Sequence, residues 1–260
     1  MLPFLFPHTA LETPTYYVLF LLGLLGAIIL GTRRAQTFHL SPVRVVDFGI
    51  TVFVAGVAGA RIFHIFFEAP DYYLAHPIRV FYLWQGGFVL YGGILFGILA
   101  GYLFLKYLKE PIGAWGDLTG PCVFLGIAIG RMACLAAGCC HGSVTDWSWG
   151  MIFTDPRSAA PLHVPLHPTQ ALEMIFTFLL AMVFHKFVKG PTRMSGSSFV
   201  WMLILYSIFR FAIEFLRGDL DRGVYAGGSI STSQIVSMAV VLGCIVWFAL
   251  MKLNASRKSV

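Results

Sequence analysis

Gly126-Ile127-Ala128-Ile129-Gly130-Arg131-Met132-Ala133-Cys134-Leu135-Ala136-Ala137-Gly138-Cys139-Cys140-His141-Gly142 is an apolar run of small residues that carries one arginine and ends in three cysteines and a histidine. Small residues at this density let helix backbones approach closely inside a bilayer. The arginine, thiols and imidazole concentrate polar chemistry in the same run. The rest of the composition agrees with a membrane setting: hydrophobic residues make up 58% and charged residues 12%, against roughly 25% charged in a soluble domain. The mean hydropathy is +0.79. The chain reads as an all-α integral membrane protein, with residues 1–260 forming one domain.

Crossing the hydrocarbon core takes about 20 mostly apolar residues. Stretches near 15–33, 46–68, 88–108, 119–138, 170–188, 198–216 and 230–252 meet that requirement and predict a bundle of about seven transmembrane helices. No positively charged leader precedes the first, and Pro3 and Pro7 interrupt the N-terminus, so the first run reads as a retained span. Seven spans put the termini on opposite sides, and positive residues collect in cytoplasmic loops. With the C-terminus inside, the inner segments hold Arg33, Arg34, Arg44, Lys106, Lys109, Lys186, Lys189, Arg193, Lys252, Arg257 and Lys258. The outer segments hold only Arg79, Arg157, Arg217 and Arg222. The orientation expected is N-out, C-in, and the net charge of +6 serves topology. No basic run or zinc-finger spacing accompanies that charge, so nucleic acid is not an expected partner.

Two outer loops are long enough to matter. One, about 69–87, contains Asp71-Tyr72-Tyr73 and Pro77; the other, about 139–169, contains Trp147, Trp149, Pro156, Pro161, Pro165 and Pro168. Tryptophan and proline beside a span suit segments lying at the membrane interface. The five cysteines are odd in number and clustered, which argues against a disulfide scaffold.

Arg61, Arg131 and Arg210 remain inside predicted spans. An arginine at a helix centre costs about 2.5–3.5 kcal/mol on insertion scales, so such residues face a bundle interior and take a partner. Arg210, Glu214 and Arg217, at i, i+4 and i+7, share one helical face. They form either an ion-pair ladder that makes the helix insertable or a phosphate clamp oriented by Glu214, since arginine's fork matches phosphate oxygens. Arg61 and His64 share a face with Glu68 one turn on, and Glu68 alone could neutralise Arg61. Pro168, Thr169 and Gln170 read as a helix start, which accounts for them without catalysis. Gly86-Gly87 and Gly92-Gly93 flank Phe88 to Tyr91 and allow close approach of a helix or ligand, with Tyr91 an interfacial aromatic or a donor to a lipid head group.

An unbroken helix through the opening stretch would align Arg131, Cys134, Gly138 and His141, with Cys139 on the flank and Cys140 opposite, unless Gly138 breaks it. The Cys-x4-Cys-Cys-His spacing lacks the Cys-x2-Cys pairs of structural zinc sites, so the thiols read first as small packing residues and no metal is expected.

These motifs, in this order, resemble the phosphatidylglycerol:prolipoprotein diacylglyceryl transferases of bacterial cytoplasmic membranes. Tyr16 and Thr32-Arg33-Arg34-Ala35 are similar to the family's first span and its exit, and Gly59-Ala60-Arg61 to its Gly-Gly-Arg. Gly130-Arg131 opens its signature, His167-Pro168-Thr169-Gln170 with Glu173 is similar to its His-Pro-Ser-Gln-x-x-Glu, and Arg210, Glu214 and Arg217 fall in its Arg-Phe-x-x-Glu-x-x-Arg segment. The resemblance implies a multi-pass enzyme of the bacterial inner membrane that moves the diacylglyceryl group of phosphatidylglycerol to the thiol of a lipobox cysteine. Its partners are then membrane lipids and an exported preprolipoprotein, it releases glycerol phosphate, and it needs no cofactor. Arg131 and Arg210 would hold the phosphate and Glu214 would orient Arg210, with Tyr16, Arg61, Cys134, Gly142 and Arg217 as substrate contacts.

The chain departs from the family where the signature is most informative. Cys134 stands where the family has asparagine, Cys139 where it has glutamate, and Tyr91 where it has the histidine of His-Gly-Gly, while Gly142 keeps its glycine. One expectation is the same transfer with His141, or a thiolate favoured by Arg131, taking the proton, so that Tyr91, Cys139 and His141 join Arg131, Arg210 and Glu214 as catalytic candidates. A second is transfer to another acceptor, with a covalent cysteine as the candidate intermediate. A third is a lipid-binding or metal-handling protein without transfer activity.

Overall fold

Seven helices of the computed structural model are long and apolar enough to cross a membrane, as the apolar runs predict. The structure describes residues 3–6, 9, 12–192, 194–219, 223–225 and 230–257, the last four as backbone. Pro7, Arg193, Arg222, Lys258 and the Arg257 side chain, all used in the sequence reading, lie outside the described residues.

In chain order the helices are α1 Thr15–Ala35, α2 Pro42–Phe63, a short α3 Pro70–Ala75, α4 Leu90–Tyr107, α5 Ile112–Ala137, α6 Thr169–Phe187, α7 Ser197–Ile213 and α8 Thr232–Arg257. The helix carrying the opening stretch, α5, is the hub, packing on α1, α6 and α7, while α4 leans on α2 and α8 on α7. Exposed leucines, isoleucines and phenylalanines such as Leu25, Ile98, Phe178, Ile208 and Leu242 cover the outside. The buried residues include Arg34, Arg61, Asp117, Gln170, Glu173, Arg210 and Glu214. Apolar surface outside and polar groups inside is the arrangement a hydrocarbon solvent favours.

Close helix approach follows the small residues. At the α2–α4 crossing a Cβ on Gly59 would meet the Gly92 carbonyl oxygen at 2.6 Å, so the backbones touch and only glycine fits. This is the role foreseen for the glycines that open the third span.

The predicted span 119–138 begins too late, since α5 starts at Ile112. Asp117, just ahead of the predicted span, is wholly buried because it caps a neighbour. Its carboxylate accepts from the Gly196 and Ser198 amides at 2.9 and 3.0 Å and from the Thr192 and Ser198 hydroxyls at 2.7 and 2.6 Å, at the start of α7. This satisfies N–H groups that every helix start leaves open. Arg34, counted among loop charges, is also buried and donates to the carbonyls of Leu118, Asp117 and Val188 at 3.1–3.2 Å.

Residues 138–168 fold over the end of α5 around Phe153 and Leu166, with Leu135 of α5 packed beneath them. A two-residue antiparallel pairing, Met151–Ile152 with Pro165–Leu166, holds the loop together. Trp147 and Trp149 stack with ring centres 4.8 Å apart and remain about half exposed, which suits an interfacial position.

Candidate active site

The unbroken-helix stripe does not form. α5 ends at Ala137, and Gly138 follows in the left-handed region at φ 78°. Cys140 adopts φ 59°, so the chain turns twice within three residues. The double turn carries Cys139 and Cys140 back toward Cys134, and the three Sγ atoms lie within 4.8 Å of one another. Thr169 and Gln170 hold this turn from α6: the Thr169 hydroxyl donates to the Cys140 carbonyl and the Gln170 amide to the Cys139 carbonyl, both at 3.0 Å. The helix start read at these residues forms, with Pro168 preceding α6 at Thr169, but the Thr169 and Gln170 side chains do not cap it and hold the cysteine turn instead.

Arg131 projects from α5 just beneath the thiols. Its Nη2 donates to Glu173 Oε1 at 2.8 Å and its Nη1 faces Cys134 Sγ at 3.9 Å. Tyr206 of α7 donates to the same Glu173 oxygen at 2.7 Å, so α5, α6 and α7 meet at one carboxylate. Glu173, set aside in the sequence reading as part of a helix start, is the partner that a membrane-buried arginine requires. Tyr206 was missed; the motifs carry no signal for it.

The second cation is Arg210, which pairs with Glu214 as the i, i+4 spacing predicts and also donates to Ser233 Oγ at 2.9 Å. Tyr206, which bonds Glu173, and Arg210 are four residues apart on α7 and so share one of its faces. Arg217 pairs with Asp219 through its Nε at 2.8 Å and lies in reach of Cys140 and Glu214. A bridge between Gly142 and Arg217 and a 2.8 Å bond from the Ser143 amide to the Leu216 carbonyl join the cysteine loop to the end of α7. Cys140 receives hydrogen bonds from the Cys134 and Cys139 thiols, and with Arg217 and Arg131 nearby it is held well below the ordinary thiol range. Cys139, whose thiol donates to the Cys134 carbonyl at 3.8 Å, is pushed up by its contacts with the Cys134 and Cys140 thiols.

The His141 Nδ1 faces the Gly142 carbonyl at 2.9 Å, which fixes the proton on Nδ1 and leaves Nε2 as an acceptor. Tyr16, on α1, lies in electrostatic reach of all three cysteines and Arg131. Between α5 and α6 lies a cleft of about 400 Å³ lined by apolar side chains, among them Leu125, Ile129, Met132, Met174, Ile175 and Phe178.

Among the described residues, neither Arg61 nor Tyr91 has a hydrogen bond or ion pair to these side chains. Arg61 spends its donors on the carbonyls of Arg79, Val80, Tyr82, Gly86 and Gly87, and Tyr73 and Phe88 flank it. Glu68, its suggested counter-ion, pairs instead with His64 at 2.7 Å. Arg61 therefore organises residues 79–87, between α3 and α4. Losing even one charge-assisted hydrogen bond removes about 1.5–3 kcal/mol, so Arg61→Ala is expected to speed amide exchange across residues 79–87 by roughly tenfold or more, read by mass spectrometry, with helix content unchanged. Tyr91, half-exposed in the first turn of α4, makes no hydrogen bond among the described residues.

A seven-span helical bundle with buried arginine–carboxylate pairs and a cluster of thiols defines a polytopic membrane protein with a polar interior. The family profile described as prolipoprotein diacylglyceryl transferase matches residues 3–250, and the chain belongs to that family. It is 32% identical to a phosphatidylglycerol–prolipoprotein diacylglyceryl transferase of Clostridium tetani over 95% of this chain and 97% of the relative. The likeness to the enzyme of that name from Oleidesulfovibrio alaskensis is 34%, over 94% of this chain and 91% of the relative, and to that from Geobacter sulfurreducens 30%, over 92% and 91%.

Proposed function

We propose that this protein transfers the diacylglyceryl group of phosphatidylglycerol to the cysteine thiol of a preprolipoprotein lipobox, releasing glycerol phosphate. The observation that carries this reading is the pair of buried arginine–carboxylate contacts, Arg131 with Glu173 and Arg210 with Glu214, with Arg131 also against the Cys134 thiol and an apolar cleft between α5 and α6. A guanidinium has five N–H donors, and Glu173 and Cys134 engage only two ends of Arg131. Donors remain for a phosphate.

The chemistry explains why cations help. Phosphatidylglycerol brings one negative charge on its phosphodiester; as the glyceryl C–O bond breaks, the electron pair leaves with glycerol phosphate and a second charge develops. Arginines fixed in advance by Glu173, Glu214 and Asp219 stabilise that developing charge more than the ground state. The thiol sulfur forms the new C–S bond, and its proton passes to Nε2 of His141. The orientation that fits is N-out, C-in, in the bacterial inner membrane, with residues 1–260 acting as a single domain and the site near the outer face, where an exported substrate arrives.

Purified protein given labelled phosphatidylglycerol and a lipobox peptide is expected to release glycerol phosphate and to add the diacylglyceryl mass to the peptide; release of neither refutes the reading. Arg210→Ala is expected to slow that release by roughly 10²–10³-fold, the usual cost of one lost donor to developing charge, with membrane insertion intact. Wild-type turnover by the variant would reduce Arg210 to an ion-pair partner.

A further inference from the structure

The three thiols at the end of α5 are built, not scattered. Cys122 and Cys244 sit singly and buried, as packing cysteines do. Cys134, Cys139 and Cys140 instead bring their sulfurs within 4.8 Å of one another. To achieve this the chain holds Cys140 in the left-handed region at φ 59°, a conformation that costs a residue with a Cβ about 1–2 kcal/mol. Two hydrogen bonds from α6 then fix the carbonyls on both sides of the Cys139–Cys140 peptide. Gln170 is almost wholly buried, and its Oε1 has no protein partner among the described residues, which leaves a spare acceptor beside the cluster.

The geometry points to a zinc site of three thiolates, Cys134, Cys139 and Cys140, whose open fourth position takes the thiol of the incoming lipobox cysteine. The inference rests on the transferase reading above. Zinc–sulfur bonds of about 2.3 Å in a tetrahedral site place neighbouring sulfurs about 3.8 Å apart, inside the separation found here. Zinc centres that do chemistry keep three protein ligands and one exchangeable position. Zinc has no redox chemistry, so it leaves the thiols reduced. Zinc with three thiolates carries one negative charge, and a fourth thiolate adds another. Arg131, 3.9 Å from Cys134 Sγ, and Arg217, in reach of Cys140, lie where that charge needs compensation.

Such a site supplies an ionised substrate thiol at neutral pH, because a thiol that coordinates zinc is deprotonated outright. The balance is simple. The substrate S–H ionises on coordination and its proton goes to His141; the sulfur attacks the glyceryl carbon, the C–S bond forms and the C–O bond breaks with its electron pair on glycerol phosphate. The thioether product is a poor ligand and departs, and zinc keeps its oxidation state throughout.

Full-length protein reconstituted with zinc under reducing conditions is expected to retain stoichiometric metal by elemental analysis. X-ray absorption should count three sulfur ligands, rising to four when a lipobox peptide is added but not when its cysteine is replaced by serine. Cys139→Ala and Cys140→Ala should lose the metal while keeping the helical signal, and the sulfur count of the wild-type protein stands even if those variants fail to fold. Wild-type protein that holds no zinc, or a count that stays at three with peptide, overturns the inference. Undiminished transfer by zinc-free protein also overturns it but leaves the transferase reading standing. A fourth sulfur without glycerol phosphate release upholds the site and refutes that reading instead.

Discussion

Arg131→Ala is expected to abolish transfer and to cost the folded bundle about 3–5 kcal/mol. The two effects have different origins and can be separated. Glu173 is almost wholly buried, held by Arg131 at 2.8 Å and by the Tyr206 hydroxyl at 2.7 Å. Removing the arginine leaves a carboxylate in a medium that cannot solvate it, which is where the cost of breaking a buried pair arises. Glu173→Gln removes the stranded charge while keeping the shape. The double variant Arg131→Ala/Glu173→Gln is therefore expected to recover most of the unfolding midpoint in detergent, while its glycerol phosphate release stays down by roughly 10²–10³-fold or more. If turnover returns together with stability, Arg131 is a structural counter-ion and the phosphate role fails.

Much of the frame is legible in the sequence because it depends on local composition. Seven apolar runs of the right length become seven helices, since a bilayer leaves backbone polar groups no other economical solution. The errors fall where a distant residue decides. Asp117 looks like a boundary because its partners, the amides of Gly196 and Ser198, are about eighty residues away. Arg34 looks like a loop charge because nothing local shows that carbonyls of α5 and the Val188 carbonyl will surround it.

The candidate site divides in the same way. Arg210 and Glu214 are readable from i, i+4 spacing alone, and they pair. Arg131 announces its need for a counter-ion but not its choice of Glu173, forty-two positions on. Arg61 carries the same signal of a buried cation and answers it with five loop carbonyls, a solution that no side-chain motif encodes. Tyr206 and Ser233 are ordinary helix residues until the fold sets them against Glu173 and Arg210. The thiol cluster turns on a single question the spacing leaves open, whether the helix continues through Gly138.

Gly138→Ala is accordingly expected to dismantle the cysteine turn and to abolish turnover while all seven spans persist. Two costs coincide there. At φ 78° an alanine carries the left-handed penalty of about 1–2 kcal/mol. Its Cβ would also collide with Ser158 Oγ and crowd the amide nitrogens of Ala159 and Ala160 at 3.2 and 3.1 Å. The Ala159 amide caps the last turn of α5 by donating to the Ala137 carbonyl at 3.0 Å, so the strain cannot be relieved without opening the helix end. Cys139 and Cys140 follow directly and would move with it. Faster maleimide labelling of these thiols than in wild type, beside an unchanged far-ultraviolet spectrum, is the expected signature. Adding Ser158→Gly removes the hydroxyl collision but not the backbone strain, so only part of the protection should return. Gly243 in α8 has open space around its Cβ position, and Gly243→Ala is expected to leave labelling unchanged and to raise stability by about 0.5–1 kcal/mol, as alanine does for glycine inside a helix. Equal labelling of wild type and Gly138→Ala would mean that the thiols are gathered by their contacts with α6 alone, and that the break in α5 is incidental to the site.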